Sequence, residues 1–443
     1  MARPWLGALF TICVFVAASS QAAIRIDADL DRHTEPIEGT KIVPPDQHRS
    51  LVVFLAERVI VIDDGDARTV YDSANRRQVQ IDLKAKTRID YSLYATPALR
   101  MFEWQNRSGI RPALAAAKMP PREGMSVIDD EHTLSIQDQR SSPLQVSTDA
   151  TYRIFSDGNR TLFRETLHTT PLPPAEARRF AQFVCNMAAG HPQIIEHLGA
   201  ANAVPDEWTM TTYLAGITTT TLHVLSVQAV DDVPMDVTGY APRQTPAGGD
   251  AIDRILDRGM NMASSELDTE RRLNTEATAK AFADGRTLDG FLSSLERALM
   301  TGETPTFTDP QRAAFGGDDA TTRTRIALGA RDKTTYAAAI ESFVQLRAAT
   351  TTNAHVLAIW EANDRRQLGD LQSGQKLFIE VLAKHPAIAG VYKDLGDTLL
   401  GSYDTLRAWR AFDAGRRIGP AFANFRAVDQ LEQQIATKHP EYF

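Results

Sequence analysis

Cysteine is almost missing from this chain: 443 residues hold two, Cys13 and Cys185. Once the N-terminal leader argued below is removed, Cys185 is left alone. No intramolecular disulfide can then form, so the fold must rest on large apolar cores rather than staples. A surplus of positive charge is missing too. The formal net charge is -8 and no dense Lys/Arg block occurs, which removes the electrostatic footprint that nucleic-acid or anionic-membrane binding needs. Hydrophobic runs long enough to span a bilayer are absent from the mature chain, so no integral membrane segment is expected there. Catalytic signatures are also lacking: there is no Gly-rich phosphate loop, no Gly-x-Ser-x-Gly elbow and no His-Glu-x-x-His. No catalytic, cofactor-binding or metal-binding residue is therefore expected, and a hydrolytic enzyme is the third reading.

What is present begins with a leader. Arg3 precedes an apolar run from Trp5 to Ala18, and the small residues up to Ala23 follow. This is the pattern of a secretory signal peptide over residues 1–22, cut after Ala22, with an uncleaved anchor as the rival. Export without disulfides fits a bacterial periplasm. With 43% hydrophobic and 23% charged residues the remainder has the composition of an ordinary folded protein, and its length suits two or three domains.

From Leu51 to Leu93 the apolar pattern is that of strands. Val59 to Ile62 is a continuous β-branched run, while Val79/Ile81/Leu83 and Ile89/Tyr91/Leu93 alternate with polar residues. Asp63-Asp64-Gly65-Asp66, Asp72 to Asn75 and Lys84 to Lys86 are turn-formers between them, which predicts an antiparallel meander. Asp157-Gly158 predicts a hairpin between Tyr152–Phe155 and Arg160–Thr166, and a further strand is expected from Thr218 to Val230. Helices are expected at 174–189 and 193–198. Residues 23–240 thus read as one α+β domain. The breaker-rich stretch 241–249 reads as a linker, and 250–443 as an all-α domain, where Leu288/Phe291/Leu292/Leu295/Leu299 has helical spacing.

Several clusters invite chemistry and have plainer readings. Cys185, His191 and His197 read as a core cysteine with histidines at helix ends rather than a nucleophile and base or a metal site. Asp63 to Asp66 lacks the downstream Glu of a calcium loop. Asp129-Asp130-Glu131-His132 reads as an exposed entry to a strand at Thr133–Gln137.

A period of 34 residues relates Gly374/Ala408, Phe378/Phe412, Val381/Gly415 and Pro386/Pro420. With Tyr392, Leu395-Gly396 and Leu399, the stretch 389–422 resembles the tetratricopeptide repeat; 355–388 matches in its second helix only, through Gly374, Phe378 and Pro386, and 422–438 is similar to the cap helix of such arrays. The resemblance implies a concave groove for a protein partner, lined by first-helix positions Ile359, Asn363, Arg366, Lys393, Asp397 and Leu400. The N-terminal meander resembles periplasmic lipoprotein-carrier half-barrels, which implies an apolar ligand in the β-rich domain. The leading expectation is an exported, non-catalytic binding or scaffold protein; the alternative is a lipid or apolar small-molecule carrier.

Overall fold

The computed structural model describes residues 23–36, 44–116, 127–137, 142–213, 216–350 and 352–443. The leader expected at 1–22 lies outside them. A β-sheet region over residues 23–230 is followed by helices from 251 to 438, an α+β region and then an all-α one.

Strands β1 (Ala23–Pro36), β2 (Gln47–Ala56), β3 (Val59–Asp64), β4 (Ala67–Asp72), β5 (Arg77–Asp82) and β6 (Thr87–Ser92) each pair antiparallel with the next; β2 to β6 are the expected meander, and β1 adds a strand that was not expected. Helices α1 (Ala95–Ala116) and α2 (Val127–Leu134) follow, then β7 (Gln145–Thr148), β8 (Tyr152–Asp157) and β9 (Arg160–Thr166). After β10 (Thr169–Pro171) come α3 (Pro174–Ala188), α4 (Pro192–Ala200), β11 (Ala203–Pro205), β12 (Glu207–Thr212) and β13 (Gly216–Val230). The main sheet is joined through β13, which pairs with β1 on one side and β12 on the other; the strands then run β12, β9, β8, β7. Glu131 and His132 are thereby brought near residues 60 to 80 positions later, which no local pattern encodes.

Burial follows the residue types. Leu51, Val53 and Leu55 alternate inward on β2, and Ile26 and Leu30 on β1, against Phe180, Phe183 and Val184 of α3 and Ile194 and Leu198 of α4. β3 is buried on both faces: Ile60 and Ile62 join that cluster, while Val59 and Val61 join Val70, Val79 and Ile81 under Val233 and Val237. That is why β3 reads as an unbroken apolar run and its neighbours as alternating ones. Each fully enclosed large side chain here, such as Trp208 or Phe163, contributes on the order of 2–3 kcal/mol of transfer free energy.

The stretch 241–249 is an ordered strap. Its first two residues form β14 (Ala241–Pro242), parallel to β6, and Arg243 N donates to Arg88 O at 2.8 Å. Thr245 donates through both N and Oγ1 to Asp257, at 2.7 and 2.6 Å. Asp257 lies on α5 (Ala251–Asn261), whose N-cap is Asp250. Beyond it run α6 (Ser264–Ala283), α7 (Thr287–Thr301), α8 (Asp309–Gly317), α9 (Asp319–Ala327) and α10 (Lys333–Ala349). Two equivalent hairpins come next: α11 (Ala354–Gln367) with α12 (Leu371–Lys384), and α13 (Ala389–Gly401) with α14 (Thr405–Ile418). Their equivalence extends to detail. Asp370 and Asp404 cap the second helices, accepting from Ser373 N and Arg407 N, and each is preceded by a left-handed residue, Gly369 at φ 86° and Tyr403 at φ 62°.

Small residues set the seams. A Cβ on Gly396 would fall 2.6 Å from Phe412 Cδ1, and one on Gly374 2.9 Å from Ala362 O, so glycine lets each pair of helices close. α15 (Arg426–Lys438) ends the array with Val428 and Ile435 inward, as expected of its position. One apolar cluster runs from these helices through α5 into Ala95, Ala98 and Met101 of α1, and α14 packs on β6. The β-sheet region and the helices therefore share a core.

Candidate functional site

The six positions expected to line a groove form a ladder between α11 and α13. Asn363 Nδ2 donates to Asp394 at 2.8 Å, Arg366 to Asp397 at 3.0 Å and Lys393 to the same Asp397 oxygen at 2.6 Å. Ile359 is buried at 1% exposure, and Leu400 packs on the same cluster. The charged groups are half-buried and spend their donors on one another. Burial pushes the Asp394 carboxyl up, with Asn363 as its counterweight.

Asp129 to His132 is not an exposed strand entry. The segment is helix α2, and all four side chains are buried. The expectation failed because polar residues in sequence signal solvent, whereas these have distant partners. Arg160 pairs with Asp129 at 2.9 Å, and Arg107 with Asp130. Glu131 Oε2 accepts from His191 Nε2 at 3.1 Å and from Ser142 N at 3.0 Å. His132 Nε2 donates to Thr211 O at 2.8 Å, and its Nδ1 accepts from His191 N at 2.8 Å. His191 itself caps α4 by accepting from Gln193 N, as its place in a helix-stop loop suggests. Each imidazole thus uses one ring nitrogen as an acceptor, which only the neutral form can do. Burial accordingly lowers His132 to about 4 and also depresses His191. The knot fastens α2 to β12 and α4; a neutral imidazole with both nitrogens engaged is no free base.

The open site lies elsewhere. A cleft of about 980 Å³ separates α3 and α4 from the end of the chain and is walled by Ala181, Ile195, Pro192, Lys438, Pro440 and Phe443. The chain end is held in place: Tyr442 Oη reaches Ser135 O at 3.1 Å, Gln182 Nε2 donates to Phe443 O at 3.1 Å, and the Phe443 ring lies 4.5 Å from the Arg76 guanidinium. Arg179 is anchored to Glu57 O and Ser73 Oγ. Arg58, Arg178 and Lys438, by contrast, line the cleft, are exposed, and have no ion-pair partner among the described residues.

Cys185 also reaches this cleft. Burial pushes its thiol up, partly offset by the Ser135 and Tyr442 hydroxyls beside it. A protonated thiol among hydroxyls lacks the imidazolium or helix N-terminus that makes a nucleophile. His439 lines the same cleft but faces Glu441, at 3.5 Å. Sequence reasoning missed this site, since its walls come from residues 57–58, 135–200 and 438–443. The Arg178-Arg179 pair is no local signal for it, because Arg-Arg also occurs at 76–77, 271–272, 365–366 and 416–417.

Among the described residues, the donor atoms close enough to share one cation are those of Glu296, His355 and His385, none of which lines the cleft. No described helix is long and apolar enough to cross a membrane. The sequence matches no protein-family model and no curated protein.

Proposed function

We propose that this chain is an exported, non-catalytic binding protein that takes a protein partner, and that the partner segment is acidic and partly apolar. The observation that carries this reading is the cleft beside α3 and α4: Arg58, Arg178 and Lys438, without an ion-pair partner among the described residues, stand with the anchored Arg179 around a floor of Ala181, Ile195 and Phe443, against three carboxylates, Glu57, Glu196 and Glu441. An unpaired cation at a part-apolar wall gains most from an incoming carboxylate. The helical array, which resembles tetratricopeptide repeats through Leu395-Gly396, Phe412 and Pro420, serves as the scaffold that fixes the far wall through α15. Export is supported by the leader sequence, whose expected cut after Ala22 falls immediately before β1, which opens at Ala23. The carrier alternative has less support. Phe180, Phe183, Ile194 and Leu198 already occupy the sheet face that an apolar ligand would need.

The test is fluorescence anisotropy of the full chain with two labelled peptides of equal length, one rich in Asp, Glu and Leu and one rich in Lys and Leu. The acidic peptide should bind, weaken with added salt, and lose about 10-fold or more on Arg178→Glu/Lys438→Glu. Equal binding of both peptides, or indifference to the charge reversal, overturns the reading. Purified exported protein should begin at Ala23.

A further inference from the structure

We propose that Glu296, His355 and His385 form a binding site for one divalent transition-metal ion of the zinc class, joining α7 to the α11–α12 hairpin. Glu296 lies on α7, His355 in the first turn of α11, and His385 closes α12. The two imidazoles stack with centroids 3.6 Å apart and planes 14° apart. Both turn an edge to the same carboxylate oxygen: His355 Nε2 lies 2.9 Å from Glu296 Oε1 and His385 Nδ1 3.9 Å from it. All three donor atoms fall within 4.8 Å of one another.

Two imidazoles and one carboxylate are the donor set of three-ligand zinc sites, and they exclude Mg²⁺ and Ca²⁺, which want oxygen. Tetrahedral bonds of about 2.0–2.2 Å put ligand atoms roughly 3.4 Å apart, so the 2.9 Å contact must open and the 3.9 Å one close by about half an ångström each. Stacked rings have parallel lone pairs, so sharing an ion also requires one ring to tilt. His385 is the one that can: its side chain is 34% exposed, against 12% for His355 and Glu296, and it sits past the last turn of α12 before Pro386. The carboxylate is already oriented. Its second oxygen, Oε2, accepts from Asn274 Nδ2 at 3.0 Å, and Asn274 is buried and also donates to Ser293 O. Such an outer hydrogen bond fixes a ligating carboxylate and leaves Oε1 for the ion.

A purely packing role explains the trio less well. Glu296 serves His355 with a hydrogen bond but leaves His385 beyond hydrogen-bond reach, with a second imidazole pressed against it. Burial and the neighbouring His355 keep His385 on the neutral side, the form that ligates. An ion would satisfy all three groups at once and tie the α6–α7 hairpin to the repeated pairs. A fourth position would stay open to water.

The experiment is calorimetric titration of untagged, EDTA-stripped full chain with Zn²⁺, with Mg²⁺ as the comparison and Co²⁺ as a spectroscopic stand-in. One Zn²⁺ per chain is expected, with a Tm that rises on addition, visible Co²⁺ bands of low coordination number, and no heat from Mg²⁺. His385→Ala and Glu296→Gln should each weaken Zn²⁺ by about 100-fold, while His168→Ala, at an exposed pair with Asp206, should not. Because His385 is at an accessible helix end, its variant should keep the metal-free Tm and circular dichroism of the parent. Absence of Zn²⁺ binding by the parent overturns the proposal, as does binding that survives His355→Ala/His385→Ala.

Discussion

Arg77 of β5 and Asp413 of α14 meet at 2.7 Å, and the same guanidinium reaches Asp90 of β6 at 2.6 Å. One side chain therefore bridges the sheet and the helical array beside their shared apolar core. The pair is largely enclosed, at 24% and 15% side-chain exposure, so solvent screens it only in part. Asp413→Asn should cost about 1–2 kcal/mol, less than a fully buried break because Arg77 keeps Asp90. Urea denaturation reads the effect; an unchanged midpoint would show that the apolar core alone joins the two regions.

The repeated hairpins allow opposite predictions at matched sites. Gly396→Ala gains roughly 1 kcal/mol of helix propensity but drives a Cβ into the Phe412 ring, 2.6 Å from Cδ1, and overpacking of that kind costs about 1–3 kcal/mol. The clash wins and the variant is destabilised. At the turn before the second helix, Tyr403 holds φ 62° where its counterpart is Gly369. A left-handed non-glycine residue costs about 1–2 kcal/mol, and part of that is returned as unfolded-chain entropy, so Tyr403→Gly should stabilise by about 0.5–1 kcal/mol. Thermal melts of both variants settle the signs, and a stabilising Gly396→Ala would refute the seam.

The strands and repeated helices were legible because their signals are local. Val59 to Ile62, Asp157-Gly158 and the 34-residue period each act over a few neighbours or repeat themselves. The buried knot was not. Glu131 meets His191, and His132 meets Thr211, only after the sheet has closed through β13. The same holds for Glu296, His355 and His385, which lie on three helices. The positions expected to line a groove lie on α11 and α13, where Asn363 pairs with Asp394 and Arg366 and Lys393 share Asp397, a consequence of register between helices that a repeat pattern does not contain.

His132 gives the fold an acid-sensitive joint. Its folded pKa, about 4, lies below the ordinary 6.5, so between these values the unfolded chain binds the extra proton. Stability should be complete above pH ~6.5, fall as pH drops through that window, and lose roughly 3 kcal/mol by pH ~4 from this group. His191 and His385 titrate in the same direction, so the comparison must be differential. His132→Gln keeps an acceptor for His191 N and a donor for Thr211 O. It should be modestly destabilised at pH 7 and show a shallower loss towards pH 4. An identical pH slope in parent and variant would remove His132 as the cause.

Cys185 reports on the wall that Tyr442 makes. With its thiol held protonated by burial and flanked by Ser135 and Tyr442, the native chain should react with iodoacetamide slower than the urea-unfolded chain by on the order of 10-fold or more. Tyr442→Ala removes the flank contributed by the chain end and with it the contact to Ser135 O, so alkylation should accelerate while the sheet stays folded by circular dichroism. Tyr442→Phe separates the two contributions. It keeps the aromatic ring but loses the hydroxyl, so it should stay slow if enclosure governs the rate and speed up if the tether to Ser135 and Leu134 does. Native reactivity equal to that of the unfolded chain would mean that the chain end does not close this side of the cleft, and the site proposed for an acidic segment would lose its far wall.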